Sequence, residues 1–155
     1  MRMLLASFAV VLTGTALADT GGKIHPPASP VCAAFKPHEL CFETPKDEVA
    51  RAEYRSEQFY AVMLKTAERC SIAEKERLEI QALFPRNKVF SSRFECGEDA
   101  EENITYTNVA ERVAFLAVYA GTTSDEAAKL LRDVQTTNRF TGANIRKMQA
   151  VLVYP

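Results

Sequence analysis

The chain carries no excess of either charge: 19 Lys and Arg stand against 20 Asp and Glu, a formal net charge of −1. That balance removes the electrostatic reason to expect duplex nucleic acid or an anionic lipid surface as partner. Beyond residue 18 no apolar run approaches the roughly 20 residues that cross a bilayer, so no membrane anchor is expected. No nucleophile elbow, phosphate-binding loop, dinucleotide fingerprint or S-x-x-K motif is present. With those missing, no residue is marked as catalytic, and no metal or cofactor is expected.

What the N-terminus does have is an export pattern. Met1-Arg2-Met3 precedes the apolar stretch Leu4 to Leu12, and small residues end in Ala16-Leu17-Ala18 before Asp19. A short charged region, an apolar region and an A-x-A site are the parts of a secretory signal peptide. Cleavage is expected between Ala18 and Asp19, giving a periplasmic or secreted chain of about 137 residues, the size of one domain. No cysteine follows the small-residue run, which argues against a bacterial lipoprotein anchor. At 47 % hydrophobic residues the chain has ample material for a core and is not disordered over most of its length.

All four cysteines, Cys32, Cys41, Cys70 and Cys96, lie beyond the expected cleavage site. An even number in an oxidising compartment reads as two disulfides. Three pairings are open. Cys32–Cys41 with Cys70–Cys96 is favoured because both close short loops, each contributing about 3 kcal/mol by the chain-entropy model.

Prolines 26, 27, 30, 37 and 45 make residues 19–45 an irregular, Pro-rich arm. Thr44-Pro45 then resembles a helix start, and Val49, Ala52, Ser56, Phe59, Tyr60, Met63, Ala67 and Cys70 recur at helical spacing. Ser71-Ile72-Ala73-Glu74 has capping-box spacing for a helix ending before Pro85. A third helix follows Asp99-Ala100-Glu101-Glu102 and buries Val109, Val113, Leu116, Ala117 and Ala120 before Gly121. Thr123-Ser124-Asp125-Glu126 opens a fourth, burying Ala127, Leu130, Leu131 and Val134, and Thr141 a fifth, burying Ile145, Met148 and Leu152. Val151 to Tyr154 is an alternative short strand without an obvious partner. The expected fold is therefore all-α: one small domain of about five helices over residues 46–155, with two disulfides.

The loop Phe35-Lys36-Pro37-His38-Glu39-Leu40 lies between Cys32 and Cys41, so a disulfide would pre-organise it for docking. Its Lys-Pro-His-acid-Cys order resembles the inhibitory loop of periplasmic lysozyme inhibitors of the Ivy type, over about six residues and with a wider spacing between the cysteines. The resemblance implies a loop that enters an enzyme's cleft. His38-Glu39-Leu40-Cys41-Phe42 is also half of a zincin motif, but Phe42 stands where the second histidine is needed. A zinc site from His25, Cys32, His38 and Cys41 competes with disulfide formation, which exported cysteines favour.

Other clusters have plainer explanations. Phe84, Phe90 and Phe94 interleave with Arg86, Lys88 and Arg93, which suits an anionic ligand or stacked bases but equally a connector anchored by its aromatics. Glu95, Glu98, Asp99, Glu101 and Glu102 lack the ligand order of an EF-hand loop and suit a helix start. Glu53 and Glu57 would share a helical face as an acid–base pair must, with Arg51 and Arg55 beside them. Asn103-Ile104-Thr105 is a glycosylation sequon in a eukaryotic source.

The expectation is an exported, non-catalytic protein that binds another protein of the cell envelope or extracellular space, as an inhibitor, immunity or assembly accessory protein. Lys36, His38, Glu39, Arg86, Lys88 and Arg93 are the candidate contact residues. A small secreted hydrolase or mutase with a helical pocket is the second class, and a periplasmic carrier of a small ligand the third.

Overall fold

The computed structural model describes residues 21–45, 53–92, 96, 103–110 and 112–153. In order along the chain these form a 3₁₀ turn (Pro30–Ala34), β1 (Glu53–Arg55), β2 (Phe59–Glu68), α1 (Glu74–Leu83), β3 (Val89–Ser92), β4 (Ile104–Tyr106), β5 (Val113–Tyr119), α2 (Ser124–Thr136), β6 (Asn144–Met148) and β7 (Ala150–Val153). The protein is thus mainly β, which overturns the all-α expectation. The run Phe59 to Leu64 contains no charged residue to mark a solvent face. In β2 its side chains alternate between two cores: Phe59, Ala61 and Met63 enter one, Val62 and Leu64 the other. β5 does the same, sending Phe115 and Ala117 one way and Ala114, Leu116 and Val118 the other. A strand buried on both faces reads as a continuous apolar run, and in such a run the helical period is matched by default.

Two antiparallel sheets result, one ordered β3–β5–β2–β6 and the other β1–β7–β4. Helices α1 and α2 cover one face of the four-stranded sheet with Ile80, Phe84, Ala127, Leu130 and Val134. The three-stranded sheet and the N-terminal arm cover the other with Leu152, Ala150, Ile104, Tyr106, Leu40 and Phe42. Between them lies an aromatic cluster: Phe90 stands 5.9 Å from Phe59, 5.1 Å from Tyr106 and 5.7 Å from Phe115, in tilted or edge-on contacts. Such geometry adds to the burial energy of the rings. Val151 and Leu152, which lacked a partner in sequence, lie in the central strand of the smaller sheet, between β1 and β4.

Two of the passages from one sheet to the other, between β1 and β2 and between β6 and β7, are tied together at Ser56 and Gln149. Ser56 is fully buried. Its N–H donates to the Ala150 carbonyl at 2.9 Å, and its hydroxyl accepts the Ala150 N–H at 2.9 Å while donating to the Glu57 carbonyl at 2.8 Å. Gln149 donates its side-chain amide to the Ser56 carbonyl at 3.1 Å; its carbonyl accepts the Thr107 N–H at 3.0 Å and its N–H donates to the Thr107 hydroxyl at 2.8 Å. The arm joins the same corner. Gly22 bridges to Ser56 and Ile24 to Phe42, and a Cβ on Gly22 would lie 1.9 Å from the Glu43 carbonyl oxygen, so only glycine fits.

Three of the expected helices are therefore strands and turns: 53–68 is β1 and β2, 104–119 is β4 and β5, and 144–153 is β6 and β7. Gly121, at φ +96°, ends a strand and leads into α2. The two remaining helices are present. α2 begins at the Thr123/Glu126 capping box, with both reciprocal bonds formed. α1 stops before Pro85, but its N-cap is Ala73; the Ser71 hydroxyl turns back to the Glu68 carbonyl at 2.6 Å, so no box forms there. The disulfides are Cys32–Cys41 and Cys70–Cys96, consistent with an extracellular or periplasmic protein. The signal-peptide residues, the expected helix starts at 46–52 and 99–102 and the whole acidic cluster lie outside the described residues.

Replacing Ser56 by Ala leaves the Ala150 N–H buried without an acceptor. The expected cost is about 1–3 kcal/mol, read as a lower urea midpoint with an unchanged slope.

Candidate binding cleft

The disulfide loop is held down along its length rather than projecting. Glu39 closes a turn with Lys36: its carboxylate accepts the Lys36 N–H at 2.7 Å, and its own N–H donates to the Lys36 carbonyl at 2.9 Å. The next carbonyl along, that of His38, accepts the Ser91 N–H at 2.9 Å, so the loop covers part of the edge strand β3. Leu40 donates its N–H to the Tyr106 hydroxyl at 3.1 Å, and the Leu40 and Phe42 side chains are buried in the core. Lys88, just before β3, donates its ammonium to the Pro37 carbonyl. Phe35 packs on Phe42 with ring centres 5.7 Å apart.

Between this loop and the first turn of α1 lies a cleft of about 300 Å³, lined by His25, Phe35, Lys36, Glu39, Arg77 and Lys88 among others. Arg77 and Glu39 are its buried charged members, Arg77 with 4 % of its side chain exposed. The Arg77 guanidinium grips Glu74 with both hydrogen bonds, Nε to Oε2 at 2.8 Å and a terminal nitrogen to Oε1 at 2.5 Å, and also reaches the Val89 carbonyl at 3.4 Å. The hydrogen bond from Arg77 holds the Glu74 carboxyl below its ordinary range, with His38 and Lys88 adding smaller attractions. The Lys88 ammonium is pushed down, first by burial and then by Arg77, against weaker opposing pulls from Glu74 and Glu39. Arg77 and Lys88 thus lie close enough to repel, with Glu74 and Glu39 offsetting part of that repulsion.

Three of the six predicted contact residues, Lys36, Glu39 and Lys88, therefore meet in one place, although 52 positions separate the first from the last. His38 does not present itself to a partner. The residue is buried, 5 % exposed, so this candidate contact residue is not available at the surface of the loop. Arg86 points to a separate cavity of about 350 Å³, shared with Asn87, Tyr119, Glu126, Lys129 and Asp133. There the Tyr119 phenol is raised to about 12 by burial and then by Glu57 and Glu126. Arg93 lies outside the described residues. Arg77 was missed in sequence, yet it left a sign. It falls on the 77–80–84 stripe that buries Ile80 and Phe84, an unusual place for a cation without a partner.

The zinc reading ends with the cysteines, since Cys32 and Cys41 are bonded to each other. Among the described residues no three His, Cys, Asp or Glu side chains converge as metal ligands. His25 instead meets the Glu43 carboxylate at 3.1 Å. Nor do Glu53 and Glu57 form an acid–base pair: Glu53 binds Arg55 at 2.5 Å, while Glu57 accepts the Ile24 N–H at 2.9 Å. No family model, curated protein or solved structure matches this chain.

Changing Glu74 to Gln strips the buried Arg77 of its counter-charge. The expected loss is about 1–2 kcal/mol, less than for a fully buried pair because 42 % of the Glu74 side chain is exposed and screened. The sign with pH follows from a folded value lowered below 4.5: the pair's contribution is complete above that pH and is lost as pH falls through the lower folded value. Denaturation midpoints measured between neutral and strongly acidic pH should thus converge for the wild type and Glu74→Gln at the acid end.

Proposed function

We propose that this chain is an exported, non-catalytic protein that acts by binding another protein outside the cytoplasm, and that the cleft beside the Cys32–Cys41 loop is its contact surface. The observation that carries the reading is the rigidity of that loop. A disulfide, the Lys36–Glu39 turn and bonds to Ser91, Tyr106 and Lys88 hold its shape before any partner arrives. A surface ordered in advance loses little entropy on docking. The charged wall of Lys36, Glu39, Arg77 and Lys88 beside the ring of Phe35 joins an apolar anchor to a polar rim, the usual make-up of a contact patch. Export itself rests on the N-terminal pattern together with the two disulfides.

A small enzyme is the second reading, and the lowered Lys88 ammonium in a cleft is what favours it. Against it, Lys88 is engaged by the Pro37 carbonyl and Arg77 by Glu74, partners that serve the fold. The carrier of an apolar ligand has less support, because charged and polar side chains make up half of the cleft's lining and most of the Arg86 cavity's.

The test is capture by the immobilised, oxidised chain from the envelope and culture fluid of its source, run beside the double variant Phe35→Ala, Lys36→Ala. One protein retained in stoichiometric amount by the wild type and lost by the variant is the expected result. Equal retention by both would remove the cleft as contact surface, and no retained protein would overturn the binding reading.

A further inference from the structure

We infer that the outer edge of β6 is a second contact surface, which takes an extended acidic segment of a partner protein as an added strand. It lies at the opposite edge of the four-stranded sheet from the cleft and does not rest on the cleft being a contact surface. The two edges of that sheet are finished differently. On β3 the chain itself takes up the outward backbone groups. The Val89 N–H donates to the Gln81 side-chain oxygen at 2.9 Å, the Val89 carbonyl accepts from Arg77 at 3.4 Å, and the Ser91 N–H donates to the His38 carbonyl at 2.9 Å. On β6 the direction of each backbone group follows from β2. The Tyr60 N–H donates to the Gly121 carbonyl at 2.8 Å and the Tyr60 carbonyl accepts the Ala120 N–H at 2.9 Å, so the Tyr60 backbone faces the β5 side. Lys147 stands opposite Tyr60, and Ile145 opposite Val62, two residues along; Lys147 and Ile145 therefore turn their N–H and C=O groups away from β2. The Lys147 carbonyl is reached by the Asn108 side-chain amide at 3.3 Å, where the turn after β4 closes that end of the edge. The Ile145 N–H and C=O and the Lys147 N–H meet no hydrogen-bonding partner among the described residues. Such an edge is a template for a further strand.

The side chains of the edge select the strand. The Arg146 guanidinium donates to the Asn108 carbonyl at 2.8 Å and to the Asn144 side chain at 3.5 Å, and the Lys147 ammonium lies 6.0 Å from the centre of the Tyr60 ring. All of these partners are neutral, and neither cation meets a carboxylate at ion-pair distance among the described residues. A second copy of the chain fits poorly. When two β6 strands pair antiparallel, their outward residues must face one another. Setting Ile145 opposite Lys147 brings Arg146 against Arg146, and setting Lys147 opposite Lys147 pairs two ammonium groups; like charges directly opposite destabilise a sheet. Ile145 against Ile145 avoids both, but then Lys147 faces Ala143, whose N–H already donates to the Phe140 carbonyl at 3.1 Å. An acidic strand meets none of these obstacles. Run antiparallel, it places carboxylates beside Lys147 and Arg146 and an apolar side chain beside Ile145, which with Leu131 and Phe140 packs, partly exposed, on the core beneath α2.

The probe is the capped pentapeptide acetyl-Thr-Glu-Glu-Val-Thr-amide, whose valine stands opposite Ile145 and whose glutamates stand opposite Arg146 and Lys147. It is titrated into the oxidised ¹⁵N-labelled chain at constant ionic strength. Before peptide is added, hydrogen exchange should be fast at the Ile145 and Lys147 amides and slower at Arg146, which faces β2. Saturable shifts at residues 144–148 and slowed exchange at Ile145 and Lys147 are expected with the peptide. Methylating the valine nitrogen keeps every charge but removes the N–H that meets the Ile145 carbonyl, so affinity should fall about fivefold. Replacing both glutamates by lysine should weaken binding about tenfold. That preference for the acidic peptide should vanish in Arg146→Glu, whose spectrum reports whether the fold is intact. A response that does not saturate, or equal affinity for the N-methylated peptide, would overturn the added strand. Equal affinity for the lysine peptide would overturn the acidic assignment. Slow exchange at Ile145 and Lys147 in the dilute free chain would show the edge closed, and exchange that slows with protein concentration would put a second copy there; either result overturns the proposal.

Discussion

Strands β2 and β5 are apolar on both faces, and that double burial constrains everything around them. Neither face can be left to water, so one must receive the two helices and the other must receive the smaller sheet and the arm. Nor can the backbone of a doubly covered strand look to solvent for partners, so its ladders must be complete. The corner at Ser56 and Gln149 serves that requirement. Chain leaving one sheet for the other would strand polar groups at the turning point, and there a serine hydroxyl and a glutamine amide take the place of the ladder.

The same constraint explains which parts of the architecture were legible in sequence. α2 carries its charges on one side and opens with Thr123 and Glu126, so period and cap agreed and the element is there. In Phe59 to Leu64 and Val113 to Tyr119 there is no polar face to set a phase, and β-branched residues are too few to tip the balance towards strand. Those segments follow tertiary context, which sequence periodicity does not contain. Val151 and Leu152 were suspected of forming a strand but had no visible partners, because the strands flanking β7 come from about 47 and 97 positions earlier.

The cleft was half legible. Closing the shortest loop between cysteines marked the strap, and Lys36 and Glu39 came with it. Lys88 belonged to a separate cluster of cations whose members the fold disperses, sending Arg86 to another cavity. Arg77 and the tightness with which the loop is fastened were invisible because both arise from packing. That fastening also separates this loop from the protruding kind its residues resemble: His38 contributes its carbonyl to an edge strand and keeps its ring inside.

The Ser56 hydroxyl meets the Ala150 N–H across 94 positions of sequence. The arm that forms the cleft's outer wall rests on Ser56, so a surface assembled from the early part of the chain waits for residues near its far end. Contacts of such long range close late and slowly. Ordering of the arm is thereby coupled to the docking of β7. A chain lacking β7 would leave the Ser56 hydroxyl without the Ala150 N–H, and the arm that bridges to Ser56 would lose the support of that corner.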